Sequence, residues 1–436
     1  MTRKRRPHAV VILLMSVLCG AQTFYHARTD LKPIKPLKVN WPRANSIAVD
    51  PNFGTQIVRI TDGATFKNRS VETADSGTPN LWNTDSTMLV LRDTNATSLV
   101  MAFDPVTMKA RLRTEWQYAF ATNAVSFSHV DPQILFVLNS AQPDGPKTLL
   151  QTVDFGRRTI SNTYNFANCL PPDYRTNWSG TLSVSNDDTV FTVALSDHGQ
   201  DLGFYAATYT VGQGCRLLNT KTGQVTGDWG PMGKISIPDS FGLHAMSASR
   251  GGDVAILRSG KCWTVPCADG PYFWNISTLD VNTGVDLGHS AKGYTQLITA
   301  EHFGQWLSQP YADPANSRKV IPGQMLPPGF SGDKHASWNN DDPNDLNPFF
   351  STNSHLWPPE AAWEDEVIGV DPTSGVVYRF CSTYNSGRSR YFIGKYAVGV
   401  VSQDGKFFAF ASDALKTLGV DARGHHRVDV FVVRLQ

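Results

Sequence analysis

Short runs of apolar residues, separated by polar turns, recur along the chain after residue 45. The plainest copy is AVGVVSQDGKFFAFASD, in which a Ser-x-Asp-Gly turn joins two apolar strands. Alternating apolar and polar residues on both sides of such a turn are typical of a β-hairpin. The hairpin pattern occurs six times, at 79–92, 124–139, 181–196, 244–259, 335–352 and 397–413.

A third apolar strand follows most of these hairpins and ends in Asp or Asn before a short turn, as in VIGVDPTSGVV and NISTLDVNTGV. A fourth strand comes after that turn. Outside the N-terminus no segment shows sustained helical periodicity. A unit of four short strands that repeats about every 45 to 90 residues predicts an all-β chain and a β-propeller.

The six hairpins predict six blades, with seven as the alternative. TQIVRIT near the N-terminus and VDVFVVRLQ at the C-terminus each lack part of a unit, so we expect them to share one blade and close the ring. A degenerate seventh blade is the alternative for 289–334. The five prolines within 304–332 favour a long insertion there instead.

The N-terminus combines four basic residues at 3–6 with the apolar run AVVILLMSVLCG. This run is short for a membrane span, which needs about 20 residues. The pattern predicts a signal peptide at 1–21, a linker at 22–45 and a propeller domain at 46–436, with an uncleaved anchor as the rival interpretation. We therefore expect a periplasmic or extracellular protein with no stable membrane span after cleavage.

Charge and cysteine content refine this picture. Without 1–21 the chain keeps 35 basic and 38 acidic side chains, a net charge of about −3, so a nucleic-acid partner is not expected. Export permits disulfides. Cys262 and Cys267 flank a short proline turn and are one candidate pair, and Cys169 with Cys215 is another. Cys381 would then remain as a buried thiol.

The Ser-x-Asp-Gly hairpins and Asp-x-x-x-Gly turns resemble the WD-repeat-like propellers of TolB, of peptidases and of oligogalacturonate lyase. VDPNFGTQIVRIT and VVSQDGKFFAFASD are most similar to the lyase. The resemblance covers about 46–435 and implies a ring of blades whose first strands line a central channel. Such repeats also serve unrelated activities.

In such a ring the residues near the start of each first strand lie at one mouth of the channel. His244 and His335 occupy this position in two repeats, and Trp178 and Tyr396 are expected beside them as substrate-binding residues. Neutral imidazole suits a general base or a metal ligand. The alternative is a pair of hydrogen-bonded channel histidines with no chemistry. His289 is interpreted as an exposed turn residue.

The lyase family uses a base to remove a proton next to a uronate carboxylate, and a metal neutralises that carboxylate. Its metal site includes a Gln and a His-x-His in the last blade, where this chain reads Gly-Lys-Tyr-Ala-Val and lacks histidine. His302 and His355 lie in loops that could join the same mouth and are the candidate metal ligands. The metal would be a divalent ion, Mn or Ca.

Arg388, Arg390 and Lys395 precede the last hairpin and could bind an anionic group. The alternative is a solvated basic loop. NNDDPNDLN at 339–347 carries enough oxygen atoms for calcium, but Asn and Asp also form local turns. It follows the first strand of its repeat, so we expect it at the opposite mouth from the histidines.

Two functions remain from these patterns. The first is an exported lyase-like propeller that binds or cleaves a uronate-containing oligosaccharide, with His244 or His335 as base and Arg388 or Arg390 on the carboxylate. The second is a non-catalytic binding or scaffold propeller of the TolB type, with an oligosaccharide or a protein as ligand at the channel mouth. Convergence of both histidines with a basic side chain would favour the first.

Overall fold

The computed structural model describes part of the chain, namely residues 25–73, 79–94, 97–114, 124–138, 148–172, 174, 178–196, 205–237, 241–259, 270–285, 289–300, 306–330, 333–339, 341–355, 358–387 and 396–436. In these residues 31 strands form seven antiparallel sheets. The fold is an all-β propeller of seven blades, so the seven-bladed alternative is the correct one.

Blades 1 to 3 follow one another in the chain. Blade 1 contains β3 (Val71–Glu72), β4 (Met88–Asp93), β5 (Ser98–Asp104) and β6 (Lys109–Leu112). Blade 2 contains β7 (Val125–Phe127), β8 (Ile134–Leu138), β9 (Leu149–Asp154) and β10 (Thr159–Asn165). Blade 3 contains β11 (Trp178–Val184), β12 (Val190–Ser196), β13 (Tyr205–Thr210), β14 (Gly214–Asn219), β15 (Gln224–Gly227) and β16 (Gly233–Lys234).

Blades 4 to 6 have four strands each. Blade 4 contains β17 (Leu243–Ala248), β18 (Val254–Ser259), β19 (Tyr272–Asn275) and β20 (Val281–Thr283). Blade 5 contains β21 (Ser290–Lys292), β22 (Gln296–Ala300), β23 (Trp306–Pro310) and β24 (Arg318–Lys319). Blade 6 contains β25 (Asp333–Ser337), β26 (Phe349–Ser354), β27 (Glu366–Val370) and β28 (Val377–Ser382).

Blade 5 corrects the preference for a long insertion at 304–332, because a seventh blade occupies 290–319. Its four strands end at Lys319, and the prolines lie where they interrupt little pairing. Pro310 is the last residue of β23, and Pro314 begins a short 3-10 helix between β23 and β24. Proline is tolerated at such ends because a missing N–H there breaks few ladder bonds. The remaining 3-10 helices of the described chain are Phe166–Cys169, Gly323–Met325 and Ala414–Lys416.

Blade 7 joins the two ends of the chain, as predicted. It contains β1 (Ser46–Val49), β2 (Gln56–Arg59), β29 (Gly399–Val401), β30 (Phe407–Ser412) and β31 (Asp429–Arg434). β2 pairs with β31, with Ile57 opposite Val433. Arg59 donates two hydrogen bonds to the Asp429 carboxylate, and both side chains are buried. This closure removes an open sheet edge.

The first strands of the blades line the channel and run in the same direction, because every blade repeats the same antiparallel order. Their starts therefore define one end of the channel, called the upper mouth here. The turns that follow them define the lower mouth. Apolar residues fill the space between blades, and tryptophans are the largest of the fully buried side chains. Trp82 and Trp338 are two of these almost fully buried tryptophans.

A disulfide and the N-terminal segment add contacts outside the sheets. Cys169 is bonded to Cys215, which ties the end of blade 2 to β14 of blade 3. The other candidate pair, Cys262–Cys267, lies outside the described residues, and Cys381 is a buried thiol. Tyr25 and Trp41 pack onto blades 6 and 7, so this part of the predicted linker lies on the propeller. No helix of the described residues is long and apolar enough to cross a membrane.

Candidate functional site

A group of aromatic and imidazole rings lies at the upper mouth between blades 5 and 7. His335, in β25, has its ring centre 4.0 Å from that of His289 and 5.8 Å from that of Tyr396. His289 directly precedes β21 and is half-buried. The interpretation of His289 as an exposed turn residue is therefore wrong, because its ring is stacked against a fully buried histidine.

His335 has no hydrogen-bond partner on either ring nitrogen, although its side chain is fully buried. Burial lowers its pKa to about 3, so the imidazole is neutral at any ordinary pH. A neutral imidazole has one N–H donor and one acceptor nitrogen. A buried polar group without partners costs about 1 to 3 kcal/mol. The ring nitrogens of His335 therefore call for a partner outside the protein, such as a water molecule, an ion or a ligand.

A buried carboxyl group lies at the same end of blade 6. One oxygen of Asp365 accepts a hydrogen bond from the backbone N–H of His355 at 3.0 Å, and the other has no partner. Burial, together with the nearby charges of Glu364, Glu366 and Asp413, raises the pKa of Asp365 to about 8. A carboxyl group with this pKa can hold or release a proton near neutral pH.

The backbone around this carboxyl group is strained. Trp363, Asp365, Tyr384 and Ala397 have φ values of 74°, 52°, 53° and 47°, although none is a glycine. Residues in this region cost about 1 to 3 kcal/mol each and cluster at functional sites. The backbone of Asp365 is held in place from two sides, since its N–H bonds Asn353 and its carbonyl accepts from Thr383, both at 2.6 Å.

The predicted site residues are only partly brought together. The structure places His335 beside Tyr396, whose backbone carbonyl also accepts a hydrogen bond from Ser354. His244 is half-buried at a bulge in β17, on blade 4, and thus two blades away from His335. Trp178 is the first residue of β11, and its side chain is not among those described. Arg388, Arg390, Lys395 and His302 lie outside the described residues.

His355, the other candidate metal ligand, directly follows β26, and its Nδ1 lies 3.7 Å from an oxygen of Glu364. Across the described part of the chain, no three His, Cys, Asp or Glu side chains converge in a way that could hold a metal ion. The described donors therefore do not form a divalent-metal site by themselves.

The loop 341–347 lies at the lower mouth, at the far end of β25 from His335. One oxygen of Asp342 accepts from the backbone of Asn344, and the other accepts from the backbone of Leu346. Asp345 accepts two backbone N–H bonds and a hydroxyl bond from Tyr294 and Thr295 of blade 5. The loop is thus a hydrogen-bonded turn that locks two blades together, which the turn interpretation predicted.

A network of polar side chains crosses the channel at the lower mouth and was not predicted. We call it the lower ring. Its members come from all seven blades in order: Asn80, His129, Asn186, Arg250, Tyr294, Asp341 with Asn339, and Gln403. His129, Asn186, Arg250 and Gln403 each follow the serine that opens the turn after the first strand of their blade. Tyr294 follows Gly293 at the same position. This shared position was the signal available in the sequence.

A small cleft opens beside the lower ring, between blades 6 and 7. Tyr25, Asn347, Phe350 and Asp404 line it together with the ring residue Gln403. The cleft lies at the opposite end of the channel from His335. It does not include any of the predicted site residues.

No protein-family model matches the chain, and no curated protein sequence matches it either. Among solved structures, the chain is similar to oligogalacturonate lyase from Vibrio parahaemolyticus, with a TM-score of 0.52 and 11% identity over 92% of this chain and 99% of that one. It also aligns with TolB from Acinetobacter baumannii, with a TM-score of 0.35 and 13% identity over 56% and 52% of the two chains. At this identity the first likeness shows the propeller fold alone, and the second carries no argument.

Proposed function

We propose that this chain is an exported propeller that binds a uronate-containing oligosaccharide at the upper mouth and cleaves it by β-elimination. The observation that carries the proposal is the bare imidazole of His335, held between the rings of His289 and Tyr396. Aromatic and imidazole faces suit the stacking of sugar rings. The nitrogens of His335 can exchange hydrogen bonds with sugar hydroxyls, which would remove the cost of leaving them unpaired.

The chemistry requires a base for the proton next to the uronate carboxylate. His335 is a poor base, because a pKa of about 3 is far from any working pH. His244 is the better choice, since its ring is half-buried at the mouth. In the proposed step His244 takes the proton from C5. The bond from C4 to the glycosidic oxygen then breaks, and a C4–C5 double bond forms while the leaving oxygen gains a proton.

The carboxylate needs a positive partner during this step, because negative charge develops beside it. Arg388, Arg390 and Lys395 remain the candidates for this partner, with bidentate binding expected from either arginine. The proposal assigns Asp365 to the leaving oxygen. Its carboxyl group keeps a proton up to about pH 8 and has one oxygen without a partner.

The test is to mix the purified protein with oligogalacturonate and to follow the ultraviolet absorbance of the unsaturated product. We expect product from the wild type and a loss of at least about 100-fold with His244→Ala, as for removal of a general base. His26→Ala is the matched control, since His26 is exposed and lies in the N-terminal segment. Unchanged activity in His244→Ala would remove this residue from the site.

A binding function without cleavage is the second candidate, and the low pKa of His335 favours it. A neutral buried imidazole is well suited to hydrogen bonding and poorly suited to proton transfer. Isothermal titration with the same oligosaccharide separates the two candidates. Binding that is lost in His335→Phe, without any product from the wild type, would support the non-catalytic propeller. Absence of both binding and product would contradict the proposed function.

A further inference from the structure

The outermost strand of blade 7 has an uncharged edge that no other strand covers. Within the described chain β1 pairs with β2 alone, and its sequence SIAV contains no charged residue. Ile47 and Val49 are 44% and 55% exposed. The N–H of Asp50 donates to the carbonyl of Thr55 at 2.8 Å, and every second residue of an antiparallel pair repeats this direction. The backbone N–H and C=O groups of Ile47 and Val49 therefore point away from β2.

The outer strands of the other blades are protected against a further strand, as is usual for sheet edges. In blade 6 the N-terminal segment covers β28, because Arg28 and Arg379 exchange two backbone hydrogen bonds. In blade 1 the side chain of Asn45 bonds the N–H and the C=O of Ala110 in β6. β16 and β24 have two residues each, β20 has three, and β10 is mostly polar and interrupted by a bulge. Among the described outer strands, β1 is thus the apolar edge that stays open.

The surroundings of this open edge are basic. Residues 31–49 contain four basic residues and no acidic one, and β6 adds two more basic residues. All six side chains are exposed: Lys32, Lys35, Lys38, Arg43, Lys109 and Arg111. The carbonyl of Lys35 accepts from the side chain of Asn52, in the turn after β1, and the carbonyl of Arg43 accepts from the N–H of Ser46. Basic residues therefore lie at both ends of β1.

Three acidic side chains belong to the same surroundings. Asp62 bonds the backbone just before β1, and Asp104 lies opposite Lys109 in blade 1. Asp50 directly follows β1 but is buried, with its carboxylate bonded to blade 6. Even if all three are ionised, six basic against three acidic groups leave an excess of three positive charges.

We propose that β1 is a docking site for an extended segment of a partner protein. The segment adds to blade 7 as a sixth strand, with apolar residues beside Ile47 and Val49 and acidic residues on both flanks. Backbone hydrogen bonds supply the affinity, and the flanking charges select the partner. A second copy of this chain does not fit, because two-fold pairing of β1 would bring the basic residues of the two copies together. The site lies outside the ring and does not depend on the oligosaccharide.

The test uses a fluorescein-labelled peptide of sequence EEVTVTVEE, whose fluorescence anisotropy is measured as the protein is added. We expect saturable binding to the wild type that weakens with increasing salt. The peptide with lysine in place of every glutamate should bind at least about 10-fold more weakly. A dissociation constant above about 1 mM for the acidic peptide would overturn the proposal, and so would equal binding of the two peptides.

Ile47→Pro tests the edge itself. It removes an outward N–H and breaks no bond to β2, so the chain should fold while the affinity for the acidic peptide falls at least about 10-fold. Ile47→Thr is the matched control, because it keeps the N–H and a β-branched side chain, and its affinity should stay within about threefold of the wild type. Unchanged affinity in Ile47→Pro would mean that the peptide binds elsewhere and would overturn the proposal.

Two further measurements keep the proposal testable if Ile47→Pro does not fold. The double variant Arg43→Glu, Arg111→Glu changes exposed residues only, and it should reverse the preference, so that the lysine peptide binds more tightly than the glutamate peptide. An unchanged preference would contradict the role of the flanks. Sedimentation velocity of the wild type should show a monomer. A dimer that dissociates in Ile47→Pro or in the double variant would overturn the proposal in favour of a second copy as the occupant.

Discussion

The two mouths of the channel differ in how far their polar side chains bond one another, although each has some buried polar atoms without a partner. At the lower mouth, side chains from seven blades bond one another across the channel, and Asp345 alone accepts three hydrogen bonds. At the upper mouth, His335 and one oxygen of Asp365 have no partner, and the backbone around Asp365 is strained. The comparison indicates that the hydrogen bonds of the lower mouth stabilise the fold, whereas the groups without a partner at the upper mouth cost stability.

The largest effect on the free energy of unfolding is expected at the lower mouth. Asp345→Ala would leave two backbone N–H groups and a hydroxyl of blade 5 without an acceptor. We expect the free energy of unfolding to fall by about 3 kcal/mol. Oligosaccharide binding at the upper mouth should be unchanged at temperatures where the variant is folded. Denaturant titration measures the first quantity and isothermal titration the second.

Asn344→Ala serves as the control for Asp345→Ala, because Asn344 is exposed in the same turn. Its effect should be less than about 0.5 kcal/mol. If Asp345→Ala were as mild as this control, the assignment of stability to the lower mouth would be wrong.

A medium effect is expected at the upper mouth, and it depends on pH. The folded state keeps the proton of Asp365 up to about pH 8, whereas the unfolded chain loses it near pH 4. Stability from this group is therefore present at low pH and is lost as the pH rises toward 8. Relative to Asp365→Asn, the wild type should lose about 2 kcal/mol between about pH 6 and 7.5.

The pH dependence of Asp365 is measured as the difference between two denaturant series, because other buried acids titrate in both proteins. Burial raises the pKa of Asp429 to about 6, for example, and this contribution cancels in the difference. Asp280→Asn, at an exposed turn of blade 4, is the control and should follow the wild type. Identical curves for wild type and Asp365→Asn would show that the carboxyl group is ionised when folded.

The smallest expected effect has the opposite sign. His335→Phe replaces two bare buried nitrogens by carbon in a ring of similar shape, so the free energy of unfolding should rise by about 1 kcal/mol. The same change should abolish oligosaccharide binding. Loss of stability in His335→Phe, with binding retained, would mean that the imidazole stabilises the fold. The proposed difference between the two mouths would then be wrong for His335.

The repeat and the ring closure could be predicted because each depends on local patterns. The hairpin turns and the incomplete units at both ends are visible in the letters of the sequence. Blade 5 was harder, since its inner strand has three residues and its outer strand two. Strands this short leave almost no alternating pattern, and the prolines beside them are common in loops.

The two mouths differ in how far the sequence could predict them. His335 was found because it occurs near the start of a first strand, and the lower ring could have been found from the turn position that its members share. His289 and Asp365 could not be found in this way. Asp365 lies in Glu-Asp-Glu, which is usually a solvated run, and only the fold shows that all three side chains are buried.

The pairing of β2 with β31 also has a consequence for the order of events during synthesis. The partners of Ile57 and Arg59 are Val433 and Phe431, so the first blade-forming strands wait for almost the last residues of the chain. Contacts between such distant residues slow folding and leave strand edges exposed while it proceeds. The ring cannot close until β31 has left the ribosome, so the edge of β2 stays unpaired while the strands of the other six blades are made.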